Sequence, residues 1–290
     1  MTPRLALPPG KILQPELPEN CSVKLIGLGG VGAIAARYLA VFLASLQRPA
    51  RLVLIDGDVF EPGNSSRMLF GACGNKAAVT CDELLPRFAD SSLTLLAIEE
   101  YVTRENLGRL LREGDLVLLT VDNHATRKLV SDHCAGLREI ALFSGGNDGV
   151  ERDPAGRPRR GTFGNVQCYL RRASRDLTPP LTHRHPEIAQ PADRHPAEKN
   201  CTELIASVPQ ILFTNMMVAT CLLDSLWLHL CGALHYGELA FDIADGLMRP
   251  TQSAAITVPE VGAFGDPSAA TAATRPLLSS LRSKAIAEGG

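Results

Sequence analysis

The chain has 290 residues, enough to bury a large core, and its 45% hydrophobic and 21% charged composition belongs to a folded protein rather than a disordered one. Its 29 basic and 31 acidic residues leave a net charge of −2, which excludes the basic footprint of general nucleic-acid binding. No apolar run makes a membrane span: the longest candidate, residues 208–230, is interrupted by Gln210, Asn215 and Asp224.

Residues 1–20 are proline-rich and read as an extended arm. Ser22 to Ile26 reads as a first strand. It runs into Gly27-Leu-Gly29-Gly30-Val-Gly32, and residues 33–46 follow as a helix with Ile34, Tyr38 and Val41 on one face. A lone Gly-x-Gly-x-x-Gly means little. Here it follows a strand and opens a helix, the context in which glycines let the backbone approach a phosphate lying on the helix N-terminus. Residues 51–55 form a second strand ending at Asp56, and 57–66 a polar loop. A helix over 76–87 stops near Pro86, residues 93–98 make a third strand, and 103–111 a helix capped by Thr103. The run 116–120, apolar up to Thr120, is a central strand of a parallel sheet, with Asp122 just past its end and Asn123 capping a helix that runs to about Gly136. Residues 140–144 are a fifth strand, closed by Gly145-Gly146. This alternation predicts an α/β fold with a doubly wound, mainly parallel sheet.

Beyond Gly146 the pattern changes. Residues 161–172 read as a strand, and 173–200, with five prolines, as a long mobile crossover loop. A helix spans 202–230. Strand-like runs near 239–243 and 253–258 form a C-terminal extension, and 261–290 reads as a flexible tail, leaving one main domain over 21–260.

The chemistry-bearing residues gather at strand ends. Asp56 stands where a carboxylate commonly accepts from a ribose hydroxyl pair, which fits NAD and ATP equally. Asp58, Asn64, Arg67, Lys76 and Asp122 separate the two: cations offset the charge of a triphosphate and a strand-end carboxylate can hold Mg²⁺, whereas a dinucleotide needs neither.

This ordered set, Gly27 to Gly32, Asp56-Gly-Asp58, Asn64-x-x-Arg67, Lys76 and Val121-Asp122-Asn123-x-x-x-Arg127, resembles the nucleotide-binding region of the ThiF/MoeB/E1 family, the ubiquitin-activating-type enzymes, over about residues 20–145. The remainder is similar to stand-alone ThiF-type proteins of bacterial mobile gene clusters such as the PRTRC system. The resemblance implies that Asp56 holds the ribose, Arg67 and Lys76 the phosphates, Asp122 the Mg²⁺, and that Asn64 supports the phosphate site. It implies adenylation by Mg-ATP of the C-terminal glycine of a small ubiquitin-like (β-grasp) or sulfur-carrier protein, and a homodimer. In the family an arginine from the partner's N-terminal segment often joins the site, and Arg4 lies in a comparable place.

Many relatives then move the acyl group to a cysteine. Cys201 is the candidate: Asn200 and Glu203 have capping-box spacing, which puts Cys201 in the first turn of the long helix, where a thiol is acidified. Cys73 is a second candidate, and Cys81, Cys134, Cys168, Cys221 and Cys231 read as core fillers. None of the eight cysteines lies in a Cys-x-x-Cys pair, so no tetrathiolate zinc site is expected. With no charged-then-apolar signal pattern at residue 1, the expectation is a cytoplasmic protein with reduced thiols. His183, His185 and His195 read as exposed loop histidines, and Gly289-Gly290 as a chance echo of a ubiquitin-like tail. The rival readings are an E1-like dehydratase or ligase acting on a small molecule or tRNA, a dehydrogenase, and a nucleotide-bound scaffold without chemistry.

Overall fold

The computed structural model describes residues 12–60, 71–152, 156, 158–198 and 210–252. A nine-stranded mixed sheet forms its centre. In chain order the elements are β1 (Ser22–Ile26), α1 (Gly30–Ser45), β2 (Ala50–Ile55), β3 (Val59–Phe60), β4 (Gly74–Asn75), α2 (Lys76–Phe88), β5 (Leu93–Ile98), α3 (Leu107–Leu110), β6 (Leu116–Leu119) and α4 (His124–Ala135). There follow β7 (Ile140–Asn147), β8 (Val150–Arg152), β9 (Pro158–Arg160), β10 (Phe163–Arg172), β11 (Arg175–Asp176), α5 (Pro186–Ala189), α6 (Leu212–Leu230), β12 (Tyr236–Asp242) and β13 (Leu247–Gln252).

The strand order is β13-β12-β10-β7-β6-β1-β2-β5, with β11 paired to β10. From β7 to β5 every pairing is parallel; β10, β12 and β13 extend that sheet antiparallel beyond β7. This is the expected doubly wound architecture with its C-terminal strand extension. Its apolar runs are explained by burial on both faces. Val23, Leu25, Leu52, Leu54, Leu116 and Leu118 face α1, α2 and α6, while Ile26, Val53, Ile55, Val117 and Leu119 face the layer of α3, α4 and α5. The chain leaves β1 toward β2 and β5 on one side, then returns to lay β6 on the other side of β1. That reversal is the switch point at which open α/β sheets bind ligands, just outside the carboxyl ends of the strands.

Several elements differ from the sequence expectation. Helix α1 starts at Gly30, inside the glycine cluster, and buries Val31, Ala35, Leu39 and Leu43. Tyr38 and Val41 point outward, because the small alanine face is the one that lets α1 lie close to the sheet. Pro86 sits within α2, whose last turn runs two residues past it to Phe88. Helix α3 is a single turn begun at Leu107, since Asn106 uses its side chain to accept the Thr103 N–H in a turn. Gly145 and Gly146 do not close β7 but lie within it. A Cβ on Gly145 would stand 2.8 Å from Val218, and one on Gly146 would stand 2.4 Å from the Arg127 guanidinium, so both are there for close packing.

The proline-rich segment expected as an unstructured loop carries β11, α5 and two short 3₁₀ turns, Leu181–His183 and Pro196–Glu198. It buries Leu181 and Ile188 against α4. Helix α6 starts at Leu212, not at residue 202; Gln210 and Ile211, just before it, are non-helical. Cys201 therefore does not stand in the first turn of α6; it lies outside the described residues. So do Arg4, the strand expected over 253–258, the tail over 261–290 and Gly289-Gly290. Among the described residues no helix is long and apolar enough to cross a membrane.

Candidate functional site

The turn after β1 is built by glycines that have no substitute. Gly27 adopts φ +89°, and a Cβ there would meet Val121 at 3.0 Å. A Cβ on Gly32 would stand 1.8 Å from the Gly27 carbonyl oxygen. Thr120 locks the turn from β6: its hydroxyl donates to the Gly27 carbonyl. Gly29 is the N-cap of α1 and supplies no side-chain cap, and the space where its Cβ would project is open for 4 Å. The result is a sixteen-residue helix whose uncapped N-terminus opens at the sheet's switch point.

Asp56, at the end of β2, spans this turn. One carboxylate oxygen accepts the Leu28 N–H at 2.5 Å and the other accepts the Asp58 N–H at 2.8 Å. Loss of hydration pushes its carboxyl up; the Lys76 charge and the two N–H donors pull the other way. Asp58 pairs with the ammonium of Lys76, which is buried at the first position of α2. Lys76 is placed by its own backbone. The Lys76 N–H donates to the Asp58 carbonyl at 2.9 Å, and Asn75 caps α2 by accepting from Ala77 and Ala78 while donating to the Asp56 carbonyl at 2.8 Å. The short β3–β4 pair brings these two segments together.

Asp122 is exposed just beyond β6, one residue past Val121, which touches the Gly27 position. Arg127 of α4 fixes this stretch from beneath, donating to the Val121 and Gly145 carbonyls and to Ser144 Oγ, each at 2.8 Å. Burial pulls its guanidinium down to about 10, so it remains charged at neutral pH. Asn123 caps α4 as expected, accepting the Thr126 N–H at 2.8 Å.

Of the site residues expected from sequence, Gly27, Gly29, Gly30, Gly32, Asp56, Asp58, Lys76 and Asp122 thus share one rim. Asn64, Arg67 and Cys201 lie outside the described residues. Cys73 is exposed, and Cys81, Cys134, Cys168, Cys221 and Cys231 are buried. Of the loop histidines, His183 is exposed as expected, while His185 and His195 depart from that reading. His185 is mostly covered and bridges Glu187 at 2.8 Å and Glu238 at 2.9 Å, and the Glu238 contact holds its imidazole above the usual range. Nε2 of His195 is buried.

Two residues at the rim were not picked out from the sequence. Tyr101, three residues past β5, donates its hydroxyl to Asp58 at 3.3 Å. Burial raises its phenol strongly, and the charges of Asp58, Asp56 and Asp122 add to the rise. Gly57 is glycine because the Tyr101 ring lies where its Cβ would be. The signal available was position: Tyr101 follows a parallel strand at the same end as Asp56 and Asp122. The second is Asp193, in the segment after α5. Its carboxylate accepts the His124 N–H at 2.7 Å and the Ala125 N–H at 2.9 Å, capping α4 directly behind Asp122.

A glycine turn, three carboxylates and a buried lysine thus gather at the switch point of a doubly wound sheet, the place where open α/β folds bind ligands. The chain belongs to the ThiF family, whose model matches residues 13–233. Among curated proteins it is similar to the adenylyltransferase and sulfurtransferase MOCS3 of Drosophila yakuba, 33% identical over 158 residues, which are 52% of this chain and 32% of that protein. The chain thus spans about a third of the length of that relative. Among solved structures its fold is similar to E. coli MccB with ATP, at 15% identity and TM-score 0.59, covering 85% of this chain and 67% of that one. It is also similar to the microcin C7 biosynthetic enzyme MccB in complex with N-formylated MccA, at 17% identity and TM-score 0.57, covering 81% and 65%.

Proposed function

We propose that the protein uses Mg-ATP to adenylate the C-terminal glycine of a small ubiquitin-like or sulfur-carrier protein. The observation that carries this reading is the chain of contacts from Leu28 through Asp56 and Asp58 to Lys76, which sets a ribose-type carboxylate and a buried cation beside an open helix N-terminus. The carrier's carboxylate, already ionised at neutral pH, attacks the α-phosphorus of ATP; a carboxylate–phosphate bond forms and pyrophosphate leaves. No strong base is required. The protein's task is to place the two reactants and to offset charge on the leaving pyrophosphate. Asp56 takes the ribose hydroxyls, and Lys76 and Arg67 the phosphates, with Asn64 in support.

The donor chemistry suits magnesium, since the rim offers hard carboxylate oxygens. Among the described residues no group of three or more His, Cys, Asp or Glu side chains could cage a metal alone. Mg²⁺ commonly binds through one or two carboxylates together with substrate phosphates, and exposed Asp122 is the carboxylate assigned to it here. When bound, the metal supplies charge neutralisation at the phosphates. A subsequent step transfers the acyl group from AMP to the Cys201 thiolate, forming a thioester and releasing AMP. A homodimer belongs to the same reading, and exposed apolar side chains such as Tyr38 on α1 and Phe213 on α6 supply surface for it.

The fold likeness to MccB, seen with N-formylated MccA, favours a second reading in which a peptide takes the carrier's place. ATP–pyrophosphate exchange separates them. The first reading expects exchange only when a small β-grasp protein is added; exchange with a short peptide and no response to any β-grasp protein sinks it in favour of the second. A carrier adduct cleaved by added thiol that persists in Cys201→Ala removes the thioester step.

A further inference from the structure

Asn215 stands in the first turn of α6, and its side chain is wholly buried. Among the described residues neither Nδ2 nor Oδ1 has a hydrogen-bond partner. Buried amides are nearly always paired, so an orphaned one calls for a physical reason. Its position supplies one. Nδ2 lies 2.3 Å from where a Cβ on Gly30 would project, so the amide fills the notch left by the first residue of α1. Gln210 Oε1 reaches the same notch, 3.3 Å from that point. The neighbouring polar side chain on α6, Thr214, is satisfied by the Gly161 carbonyl at 2.7 Å, whereas Asn215 is aimed at the glycine turn with no partner among the described residues.

We infer that Asn215 is a phosphate-positioning residue of the nucleotide site, reaching the turn from a helix some 185 positions downstream of Gly30. The inference rests on the nucleotide reading given above. An oxyanion seated over the uncapped end of α1 takes a hydrogen bond from Asn215 Nδ2 beside those of the helix N–H groups. Because the amide is sealed from bulk water, that bond does not compete with solvent and is worth more than one on the surface. The cost falls on the unliganded protein, which carries the unpaired amide.

This gives a signature that a packing residue lacks: removing the amide should stabilise the empty protein while weakening its ligand. Asn215→Leu keeps the volume and removes both polar atoms. Thermal unfolding without nucleotide should shift up by about 2 °C. Calorimetric titration with ATP should show affinity at least about tenfold weaker than wild type. Parallel titrations with AMP and with pyrophosphate report which phosphate is held, by which of the two loses affinity. If wild type binds ATP and Asn215→Leu binds it equally well, the inference is overturned and the nucleotide reading stands. If wild type binds no ATP, the nucleotide reading fails and takes the inference with it. Should Asn215→Leu not fold, Asn215→Ala is titrated in the same way, and unchanged ATP affinity in that variant overturns the inference equally.

Discussion

Two side chains show how single residues set the properties of this molecule. Tyr101 donates to Asp58, and Asp58 in turn holds Lys76. Tyr101→Phe removes one hydrogen bond and no packing, so ATP affinity should fall about threefold to tenfold with stability little changed. An unaltered affinity in titration would show that the hydroxyl does not position the pair. His229, near the C-terminal end of α6, packs edge-on against Phe143 at 5.6 Å. Burial, reinforced by the charge of Arg172, pulls its imidazole down to about 4. The unfolded chain takes up a proton near pH 6.5 while the native chain refuses it until about 4, so stability is full above 6.5 and drains away as pH falls through that interval. About 2 kcal/mol should be lost between pH 7 and pH 5 at this site. Urea unfolding of His229→Phe should show a flatter profile over that range; a profile parallel to wild type would assign the acid sensitivity elsewhere.

At the scale of elements, α4 is held at its N-terminus by two caps of different origin. Asn123 is local, while Asp193 arrives from the proline-rich segment. Asp193→Ala should cost about 1 kcal/mol, the usual worth of a cap, and should speed hydrogen exchange at His124 and Ala125 as well as across residues 186–198. If exchange rises only within 186–198, the carboxylate does not stabilise α4. The same contact explains what was legible in the sequence. Strands β1, β2, β6 and β7 could be read because each is an apolar run buried on both faces, the edge strand β5 because its six residues are apolar but for Thr94, and Asn123 because a local cap leaves a local signature. The order in residues 174–198 could not be read. It depends on Leu181, Ile188 and Asp193, isolated residues whose partners lie on α4, distant in sequence. The start of α6 was misplaced because apolar residues continue across Pro209 without a break in pattern. Within the site, the acids and Lys76 were legible as a spaced motif. Tyr101 and Asn215 were not, since a tyrosine past a strand and an asparagine in an apolar helix carry no spacing of their own.

For the molecule as a whole, the mixed sheet works as a frame with one privileged edge. The chain reverses between β1 and β6, so the loops after β1, β2, β5 and β6 converge there. Each contributes one part: the glycine turn, Asp56 with Asp58, Tyr101, and Asp122. Lys76 enters from α2 through the β3–β4 pair. The antiparallel extension of β10, β12 and β13 lies beyond β7, and through His185 and Glu238 it is tied to the segment that caps α4. The central claim is that this edge grips a triphosphate by way of a buried cation. Calorimetric titration of wild type and Lys76→Met with Mg-ATP, and with NADH as a control, tests it most directly. Saturable ATP binding by wild type, weakened between about tenfold and a hundredfold in Lys76→Met, with no NADH binding, is the result expected. ATP bound equally well by both proteins, or NADH bound in its place, would contradict the account.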